Sequence, residues 1–323
     1  MGETVLVTGG SGFVGAALVI KLLRSGWHVR VLDDNSRGRP RRLASVASDI
    51  EFVKGDVRDA DAVDRATRGV DAVAHLAFVN GTEFFYSKPQ LVLEVGVKGA
   101  LNTLDACLKH AVPRYWLMSS SEVYQTPPRV PTDESAPMSI PDPLNPRYSY
   151  GGGKLISELL AVNYGRERFE QVVIVRPHNV YGPDMGREHV IPQLIDRVHA
   201  ICRSTDSTAI ELPIKGDGRQ TRSFVYVDDF TEGCTLAFTR GQHLNIYHVG
   251  TGDELTIAEL ARKVAASFGR AATIIPGEAP QGETSRRCPD IAKISALGYQ
   301  PAVSIDQGLE RTQAWYVAHP DER

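Results

Sequence analysis

The stretch TVLVTGGSGFVG, residues 4–15, decides the fold. Its first half is a short apolar run rich in β-branched residues, which predicts a strand, and its second half is a glycine-rich turn. The turn leads into GFVGAALVIKLLRSG, residues 12–26, where apolar residues recur at helical spacing up to Gly26, a typical helix C-cap. A strand, a glycine turn and a helix in this order open a doubly wound α/β fold.

Two overlapping glycine patterns share this turn. Gly9, Gly12 and Gly15 spell GxxGxxG, and Gly10 begins an overlapping GxGxxG. Glycine permits a tight turn and lets the backbone approach a pyrophosphate, while the helix N-terminus supplies N–H donors and positive potential. Because the pattern follows a strand and opens a helix, it predicts a dinucleotide site rather than an empty turn. The predicted contacts are Gly9, Gly12, Phe13, Val14 and Gly15.

Asp33 ends the second predicted strand, 18 residues after Gly15 (33 − 15). A carboxylate there can accept hydrogen bonds from the adenosine ribose and would repel a 2′-phosphate, which favours NAD over NADP. The arginines at 37–42 argue weakly for NADP, although such a run is more often a solvated loop. Asp56 and Val57, at a later strand end, are further candidate cofactor contacts, and an ordinary structural role for Asp56 fits its spacing equally well.

Strands and helices alternate through the first half of the chain. Further strands are predicted at 28–34, 50–56, 70–77, 114–120, 170–177 and 244–249, and late helices at 256–268 and 304–318. The central strands are nearly continuous apolar runs, as a parallel sheet covered on both faces requires. We therefore predict an α/β protein with a doubly wound parallel sheet and a smaller, interleaved C-terminal lobe. The predicted domains are a dinucleotide-binding domain at 1–178, to which 224–250 returns, and a substrate-binding lobe at 179–223 and 251–323.

Composition narrows the class of protein. The chain has 323 residues, 42% hydrophobic and 23% charged, with a net charge of −3, so nothing indicates a nucleic-acid or membrane partner. The four cysteines form no CxxC pair and no metal-ligand spacing, so we expect no metal. The start of the chain resembles no signal peptide, and no apolar run reaches membrane-spanning length. We expect a reduced, cytoplasmic protein.

Tyr150 and Lys154 lie four residues apart, on one face of a predicted helix. A nearby ammonium favours the phenolate and so lowers the pKa of a tyrosine. Such a tyrosine can take a proton from an alcohol while hydride leaves the same carbon for a nicotinamide. A lone YxxxK pair is usually chance, but here it follows a dinucleotide pattern, which favours the functional interpretation.

The chain resembles the extended short-chain dehydrogenases/reductases, and among them the NAD-dependent nucleotide-sugar epimerases and dehydratases. The matching segments run along nearly the whole chain: TGGSGFVG, GDVRD, HLA, SSSEVY, YGGGK, RPHNVYGP, GDGRQTRSFVYVDD and RRCPDI. The resemblance implies tightly bound NAD, a nucleotide-diphosphate sugar as substrate and a homodimer. It implies that Ser120 acts with Tyr150 and Lys154 on the sugar 4-hydroxyl. It places Leu76 and Ala77 beside the nicotinamide ribose, and Asn179 and Arg222 on the substrate phosphates.

Two features of the resembling segments are unusual. Three glycines, 151–153, separate Tyr150 from Lys154, at a cost of roughly 1 kcal/mol each relative to alanine inside a helix. The family packs this helix in a dimer, so we expect the glycines to allow close approach there; a frayed first turn is the simpler alternative. Gly96 stands where the family often has Asn, which removes one hydrogen bond near the active site.

The reaction type depends on the residues beside Ser120. Typical dehydratases of thymidine-diphosphate sugars have Asp-Glu there, whereas this chain has Ser121 and Glu122, as mannose-nucleotide dehydratases do. UDP-glucuronate decarboxylases resemble the chain in this Ser-Glu pair and in an arginine that matches Arg287. They tend to have Arg where this chain has Asp184, a poor neighbour for a carboxylated sugar unless Arg187 compensates.

A third resemblance, to GDP-mannose 3,5-epimerases, implies an acid/base pair at Glu122 and His189. Structural roles are the alternatives, a loop cap for Glu122 and a surface histidine for His189. We predict a nucleotide-sugar epimerase that first oxidises C4, with 4-epimerisation preferred and decarboxylation or 4,6-dehydration as alternatives. Ser121, Asn179, Arg187, Arg222 and Arg287 are the predicted substrate contacts. A non-catalytic NAD-sensing regulator is the alternative from another class, and the set Ser120, Tyr150 and Lys154 argues against it.

Overall fold

A seven-stranded parallel sheet forms the centre of the structure, a computed structural model that describes residues 2–278 and 285–320. The strands of the described chain are β1 (Thr4–Thr8), β2 (His28–Asp33), β3 (Ile50–Lys54), β4 (Ala72–His75), β5 (Arg114–Met118), β6 (Gln171–Pro177), β7 (Val180–Tyr181), β8 (Ala209–Pro213), β9 (Thr221–Ser223), β10 (Val225–Tyr226), β11 (Asn245–Val249), β12 (Glu254–Thr256), β13 (Ala271–Ile275) and β14 (Arg286–Arg287). The central sheet has the order β11-β6-β5-β4-β1-β2-β3. The order reverses between β1 and β4, where open α/β sheets bind their ligands.

Helices cover both faces of this sheet. They are α1 (Phe13–Arg24), α2 (Ala60–Thr67), α3 (Thr82–Ser87), α4 (Pro89–Leu93), α5 (Gly99–Lys109), α6 (Ser149–Arg168), α7 (Val190–Ser204), α8 (Val227–Arg240), α9 (Ile257–Ser267), α10 (Ala292–Ser295) and α11 (Ile305–Ala318). Val5 and Val7 of β1 pack in one cluster with α1 and α8. Leu6 points to the opposite face and packs with α2, α5 and α6. Burial of each such side chain contributes about 1.5–3 kcal/mol, so the continuous apolar strands drive this layered packing.

The prediction of a doubly wound parallel sheet is confirmed, and each predicted strand and late helix is present with ends shifted by a few residues. The predicted strand at 244–249 is β11, at the sheet edge beside β6. Gly26 follows α1 in the left-handed region, at φ 88°, as the predicted helix end requires. The proposed domain boundaries stay a prediction.

A second hydrophobic cluster lies outside the central sheet. Leu194 of α7, Leu260 of α9 and Leu309 of α11 belong to it. Short sheets flank these helices: β8 pairs with β13, and β9 lies between β12 and β14. Within residues 2–278 and 285–320, no helix is both long and apolar enough to cross a membrane.

A buried ion pair attaches helix α6 to the central sheet. Arg176 of β6 donates from Nη2 to Oε2 of Glu158 at 2.6 Å and from Nε to Oε1 at 2.9 Å. Both side chains are only 2% exposed, and the Ser119 hydroxyl, just after β5, also donates to Glu158. Loss of one partner of such a pair costs about 3–5 kcal/mol, because the other charge stays buried and unpaired. The pair therefore fixes the helix that carries Tyr150 and Lys154.

Candidate active site

One cavity of about 810 Å³ opens at the carboxyl ends of the central strands, within the size range of cofactor and substrate sites. Most of the predicted site residues line it. They are Gly9, Gly12, Phe13, Val14, Gly15, Asp33, Asp56, Val57, Leu76, Ala77, Ser120, Ser121, Glu122, Tyr150, Lys154, Asn179, His189 and Arg287. The fold thus brings residues from both halves of the sequence into one place.

The glycine turn between β1 and α1 forms one wall of this cavity. Gly9 has φ 73°, and its amide donates to the Leu32 carbonyl at 2.9 Å. A Cβ at Gly15 would overlap the Gly9 carbonyl oxygen, and a Cβ at Gly9 would lie 2.8 Å from the Ala77 backbone. The helix α1 begins with Gly12 as a cap that has no side chain, so its first N–H groups face the cavity without a side-chain acceptor. This cradle fits a dinucleotide pyrophosphate.

Asp33 lies at the end of β2 with its carboxylate directed to the same turn. Its Oδ2 accepts from the Ser11 amide at 2.9 Å, and its Oδ1 accepts from the Asn35 amide at 2.8 Å. Each carboxylate oxygen has more than one lone pair, so Asp33 can still accept hydrogen bonds from the two ribose hydroxyls. A Cβ at Gly38 would overlap the Ser11 hydroxyl and lie 2.9 Å from Asp33, so glycine is needed where the loop returns.

The arginines after β2 form ion pairs with the segment 184–188. Arg41 and Arg42 both donate to the Asp184 carboxylate, at 2.8 and 3.0 Å. Arg37 donates to Glu188 at 2.8 Å, and its guanidinium lies 4.3 Å from the centre of the Phe84 ring. These contacts account for most of the arginines at 37–42, so no 2′-phosphate is needed to explain their presence. They also neutralise the negative charge of Asp184 within the chain.

Asp56 lies at the adenine end of the predicted site. Arg58 donates to its carboxylate from Nη2 at 2.6 Å and from Nε at 2.9 Å. The hydrogen bond from Arg58 is the main reason that the pKa of Asp56 lies below its ordinary value. Val57 follows, with its carbonyl accepting from Asn102 at 2.8 Å. The Asp56 carboxylate is thus ionised, and Arg58 uses part of its capacity to accept hydrogen bonds.

Tyr150, Ser120 and Lys154 meet at the base of the cavity. Burial raises the pKa of the Tyr150 phenol, and a hydrogen bond with Ser120 acts in the opposite direction. The Lys154 ammonium donates to the Met118 carbonyl at 2.6 Å and lies 5.8 Å from the centre of the Tyr150 ring. The expected lowering of the Tyr150 pKa by Lys154 is therefore not seen in this arrangement, where burial is the largest influence and raises this pKa.

Two phenylalanines that the motifs did not indicate enclose Tyr150. Phe85 of α3 stacks on its ring, with centroids 5.0 Å apart and an interplanar angle of 20°. Phe78 meets the same ring edge-on at 5.1 Å and 81°. Phe78 directly follows the segment HLA, but nothing in that position predicts contact with a helix more than 70 residues later.

Two of the three glycines before Lys154, Gly151 and Gly153, allow close contacts within this chain. A Cβ at Gly151 would overlap the Gln125 side chain, and one at Gly153 would lie 2.9 Å from Cζ of Phe78. Gly152 has more room, with Ile140 at 3.4 Å. Helix α6 already begins at Ser149, so the first turn is formed rather than frayed. The expectation that these glycines serve a dimer contact is thus wrong for Gly151 and Gly153, which are buried against their own chain.

Glu122 is paired with Arg287 across the cavity wall. Burial alone would raise the pKa of Glu122, but the charge of Arg287 and its hydrogen bond lower it. Arg147 and Arg222 act in the same direction, so the net pKa lies below the ordinary value. Ser120 accepts the Glu122 amide at 3.2 Å, which fixes this carboxylate next to the Tyr150 site. Glu122 is therefore a carboxylate held as an anion.

The remaining predicted residues divide into two groups. Asn179, at φ 41°, and His189 line the cavity, and burial is the main cause that lowers the pKa of His189. Arg222 lies outside the cavity wall but close enough to Glu122 to influence it. Arg187 points elsewhere: it donates to Asp196 and to the His319 carbonyl, and stacks over Tyr316 at 4.9 Å. The structure therefore does not bring Arg187 together with the other predicted substrate contacts.

Comparison with known proteins agrees with this geometry. Residues 5–250 match the NAD dependent epimerase/dehydratase family. This chain belongs to that family. The predictions of an enzyme of nucleotide-sugar metabolism and of NAD as its cofactor are confirmed. Among residues 2–278 and 285–320, no group of three or more His, Cys, Asp or Glu side chains is arranged to hold a metal.

Relatives in this family catalyse different reactions. A dTDP-glucose 4,6-dehydratase of Streptomyces niveus is 31% identical, with 97% of this chain and 92% of the relative covered. UDP-glucuronic acid decarboxylase 1 of Arabidopsis thaliana is 33% identical, covering 95% of this chain and 68% of the relative. The crystal structure of Thermus thermophilus UDP-glucose 4-epimerase with NAD has a TM-score of 0.84 at 29% identity, covering 98% and 99% of the two chains. Identity at this level shows the family and leaves the reaction open.

The Asp33 carboxylate is expected to set the preference for NAD over NADP. Asp33→Asn keeps the shape of the side chain and removes the charge that repels a 2′-phosphate, so NADP binding should tighten and the preference should relax. Asp33→Ala should also weaken NAD binding by about 10- to 100-fold, because hydrogen bonds to a charged group are lost. Titration calorimetry with both dinucleotides measures this. Tighter binding of NADP than NAD by the unchanged protein would contradict the role of Asp33.

Proposed function

We propose that this protein is a nucleotide-sugar 4-epimerase that oxidises the sugar transiently at C4 and reduces it again. The observation that carries the proposal is the ion pair between Glu122 and Arg287, beside the convergence of Ser120, Tyr150 and Lys154. Epimerisation at C4 needs only Ser120, Tyr150 and Lys154 from the protein. Dehydration and decarboxylation both need a further charged group that is free to act on the sugar.

Tyr150 is the proposed proton acceptor for the sugar 4-hydroxyl. Ser120, which shares a hydrogen bond with Tyr150, would hold that hydroxyl and later the ketone oxygen. Lys154, fixed by the Met118 carbonyl, would supply the positive charge that stabilises the phenolate, which is the form of Tyr150 that can accept the proton. Bound NAD supplies the chemistry of hydride removal from C4 and hydride return. The ketone would rotate in the site before hydride returns to C4. Hydride would then reach the opposite face, which inverts C4.

Competing reactions lack a suitable group in this arrangement. A 4,6-dehydratase needs an acid for the C6 hydroxyl, and Ser121 stands where its aspartate would be. Glu122 is a poor substitute as an acid, because Arg287 holds it ionised. A decarboxylase needs a cation free for the sugar carboxylate, and Arg287 is occupied by Glu122. Decarboxylation stays the second candidate, since Arg287 lines the cavity and Asp184 is neutralised by Arg41 and Arg42.

We also propose the groups that bind the substrate. Asn179, Ser121 and Arg287 line the cavity next to Ser120, and Arg222 lies near Glu122. Positive charge at Arg222 suits a nucleoside diphosphate, while Arg287 borders the substrate as the partner of Glu122. Proton exchange at C3 or C5 through Glu122 and His189, which line the same cavity, is the alternative that deuterium incorporation would reveal.

We further propose that the protein is a homodimer joined by the outer surfaces of α4, α5 and α6. Four large apolar side chains are exposed there, Leu93 by 38%, Leu108 by 39%, Ile156 by 39% and Leu159 by 50%. An exposed apolar patch on neighbouring helices is typical of a surface that a second copy covers.

Tyr150→Phe should abolish turnover while NAD and substrate still bind, because the lost hydroxyl is the proton acceptor. A loss of about 10²–10⁴-fold in kcat is expected. Tyr164→Phe, on the same helix but away from the cavity, is the matched control and should keep normal turnover. Steady-state kinetics and calorimetry measure the two effects. Near-normal kcat in Tyr150→Phe would remove this residue from the mechanism.

Pairs of C4-epimeric nucleotide sugars should interconvert in deuterated water without deuterium at any sugar carbon. Under the same proposal Glu122→Gln should lower kcat by less than about tenfold, because Glu122 takes no part in proton transfer at C4. NMR of the products and initial rates measure this. Deuterium at C5 together with a fall of 10²–10⁴-fold in Glu122→Gln would instead make Glu122 a proton-transfer group, and loss of CO₂ from a carboxylated sugar would establish the decarboxylase.

Leu159→Glu should convert the dimer to monomer, because it buries a charge in an apolar interface. Light scattering after size exclusion measures the mass. Leu144→Glu is the matched control, since Leu144 is 90% exposed and lies outside the patch. A monomeric unchanged protein, or a dimer that survives Leu159→Glu, would contradict this interface.

A further inference from the structure

Phe78 touches both side chains of the proposed proton-transfer pair. It directly follows Ala77 in the loop after β4 and lines the cavity. The Lys154 ammonium lies 4.1 Å from the centre of its ring, well within the distance for a cation–π contact. The same ring meets the Tyr150 ring edge-on with centroids 5.1 Å apart. One aromatic side chain thus lies against both residues.

The Phe78 ring occupies a slot made by two glycines on different elements. A Cβ at Gly96, in the π-helical segment Glu94–Lys98, would overlap the ring at Cε2 and Cζ. A Cβ at Gly153 of α6 would lie 2.9 Å from Cζ. Close-packed interiors tolerate almost no overlap of this kind. The two glycines therefore hold the ring in one position, and Gly96 is explained by Phe78.

Lys154 has few other groups to stabilise its charge. It is 3% exposed, and it donates to the Met118 carbonyl. Burial lowers its pKa to about 7, and the charge of Glu158, one turn further along α6, acts in the opposite direction. Glu158 is itself paired with Arg176.

Among the described residues, Tyr150 and His75 are titratable groups that also lie near Lys154. Tyr150 carries no charge in this arrangement, since burial raises its pKa. Burial and, second, the charge of Lys154 lower the pKa of His75 to about 3, so this histidine is neutral as well. The Phe78 face is thus a principal favourable contact of the ammonium.

We propose that Phe78 is a positioning residue that holds the Lys154 ammonium beside Tyr150 through its ring face. The proposal rests on the proposed function of Tyr150 and Lys154 in proton transfer. A cation over an aromatic face is stabilised by the ring quadrupole, and more so when water is excluded. Phe78 therefore favours the charged form of Lys154 and extends to higher pH the range in which that charge assists Tyr150.

Phe78→Leu tests this, because leucine fills much of the slot and has no π face. The NAD-loaded protein is titrated with isotope-labelled lysine, and Lys154 is followed by NMR after assignment with Lys154→Met. Loss of the ring face should lower the pKa of Lys154 by about 1. The alkaline limb of kcat against pH should move down by the same amount, giving about a tenfold loss above both pKa values.

Phe85→Leu is the matched control. It removes the other ring from Tyr150, and the described structure records no contact between Phe85 and Lys154. The titration of Lys154 should not move in this variant. An equal shift in Phe85→Leu would mean that loss of any neighbouring ring acts through general loosening, and would overturn the proposal.

Gly96→Ala gives a second route that leaves Phe78 unchanged. Alanine suits a helical backbone, so its effect comes from displacement of the ring. The shift in the pKa of Lys154 should resemble that of Phe78→Leu, and the two changes should be less than additive when combined. If Phe78→Leu fails to fold, this variant decides the question.

An unchanged Lys154 titration in the folded variants would overturn the proposal, even if turnover falls. The titration is recorded without substrate, so it also gives an answer if no nucleotide sugar is converted. If only the proposed function is wrong, the unchanged protein will show no turnover, but Phe78→Leu will still lower the pKa of Lys154 as predicted.

Discussion

The buried ion pair between Glu158 and Arg176 is the contact on which the active site depends. Charges removed from water are tolerated only with close partners, and here the partners come from α6 and β6, with Ser119 after β5 as a third anchor. Because Lys154 lies one turn before Glu158, the same pair that joins helix and sheet also supplies negative potential to the lysine. One ion pair therefore both attaches α6 to the sheet and favours the charged form of Lys154.

Much of the fold and of the cofactor site could be predicted from sequence because these features depend on local patterns. The turn around Gly12, the carboxylate of Asp33 and the pair Tyr150 and Lys154 each lie at a fixed distance from a strand or helix end. The contacts of Phe78, Arg187 and Asp184 could not be predicted in this way. They join segments far apart in the chain, and their partners depend on side-chain packing that no spacing encodes.

Under the proposed function, the reaction type depends on which charged groups are free to act on the sugar. Here the two groups that would redirect a C4 ketone, Glu122 and Arg287, neutralise each other. The same residues in a different pairing would suit loss of water or of a carboxylate. The identities of these two residues alone therefore do not distinguish the reactions, and the proposed 4-epimerisation rests on their contacts.

The ion pairs between the loop after β2 and the segment 184–188 have a consequence for redesign of the coenzyme site. Arg37 and Arg42 line the cavity together with Asp33, and Arg41 is their neighbour in the chain, so a designer would look here for cations to hold an extra phosphate. They already neutralise Asp184 and Glu188. Under the predicted role of Asp33, removal of its charge alone should give an enzyme that accepts both coenzymes. Full reversal would require a new cation, or release of one of these three at the expense of the contact between the two loops.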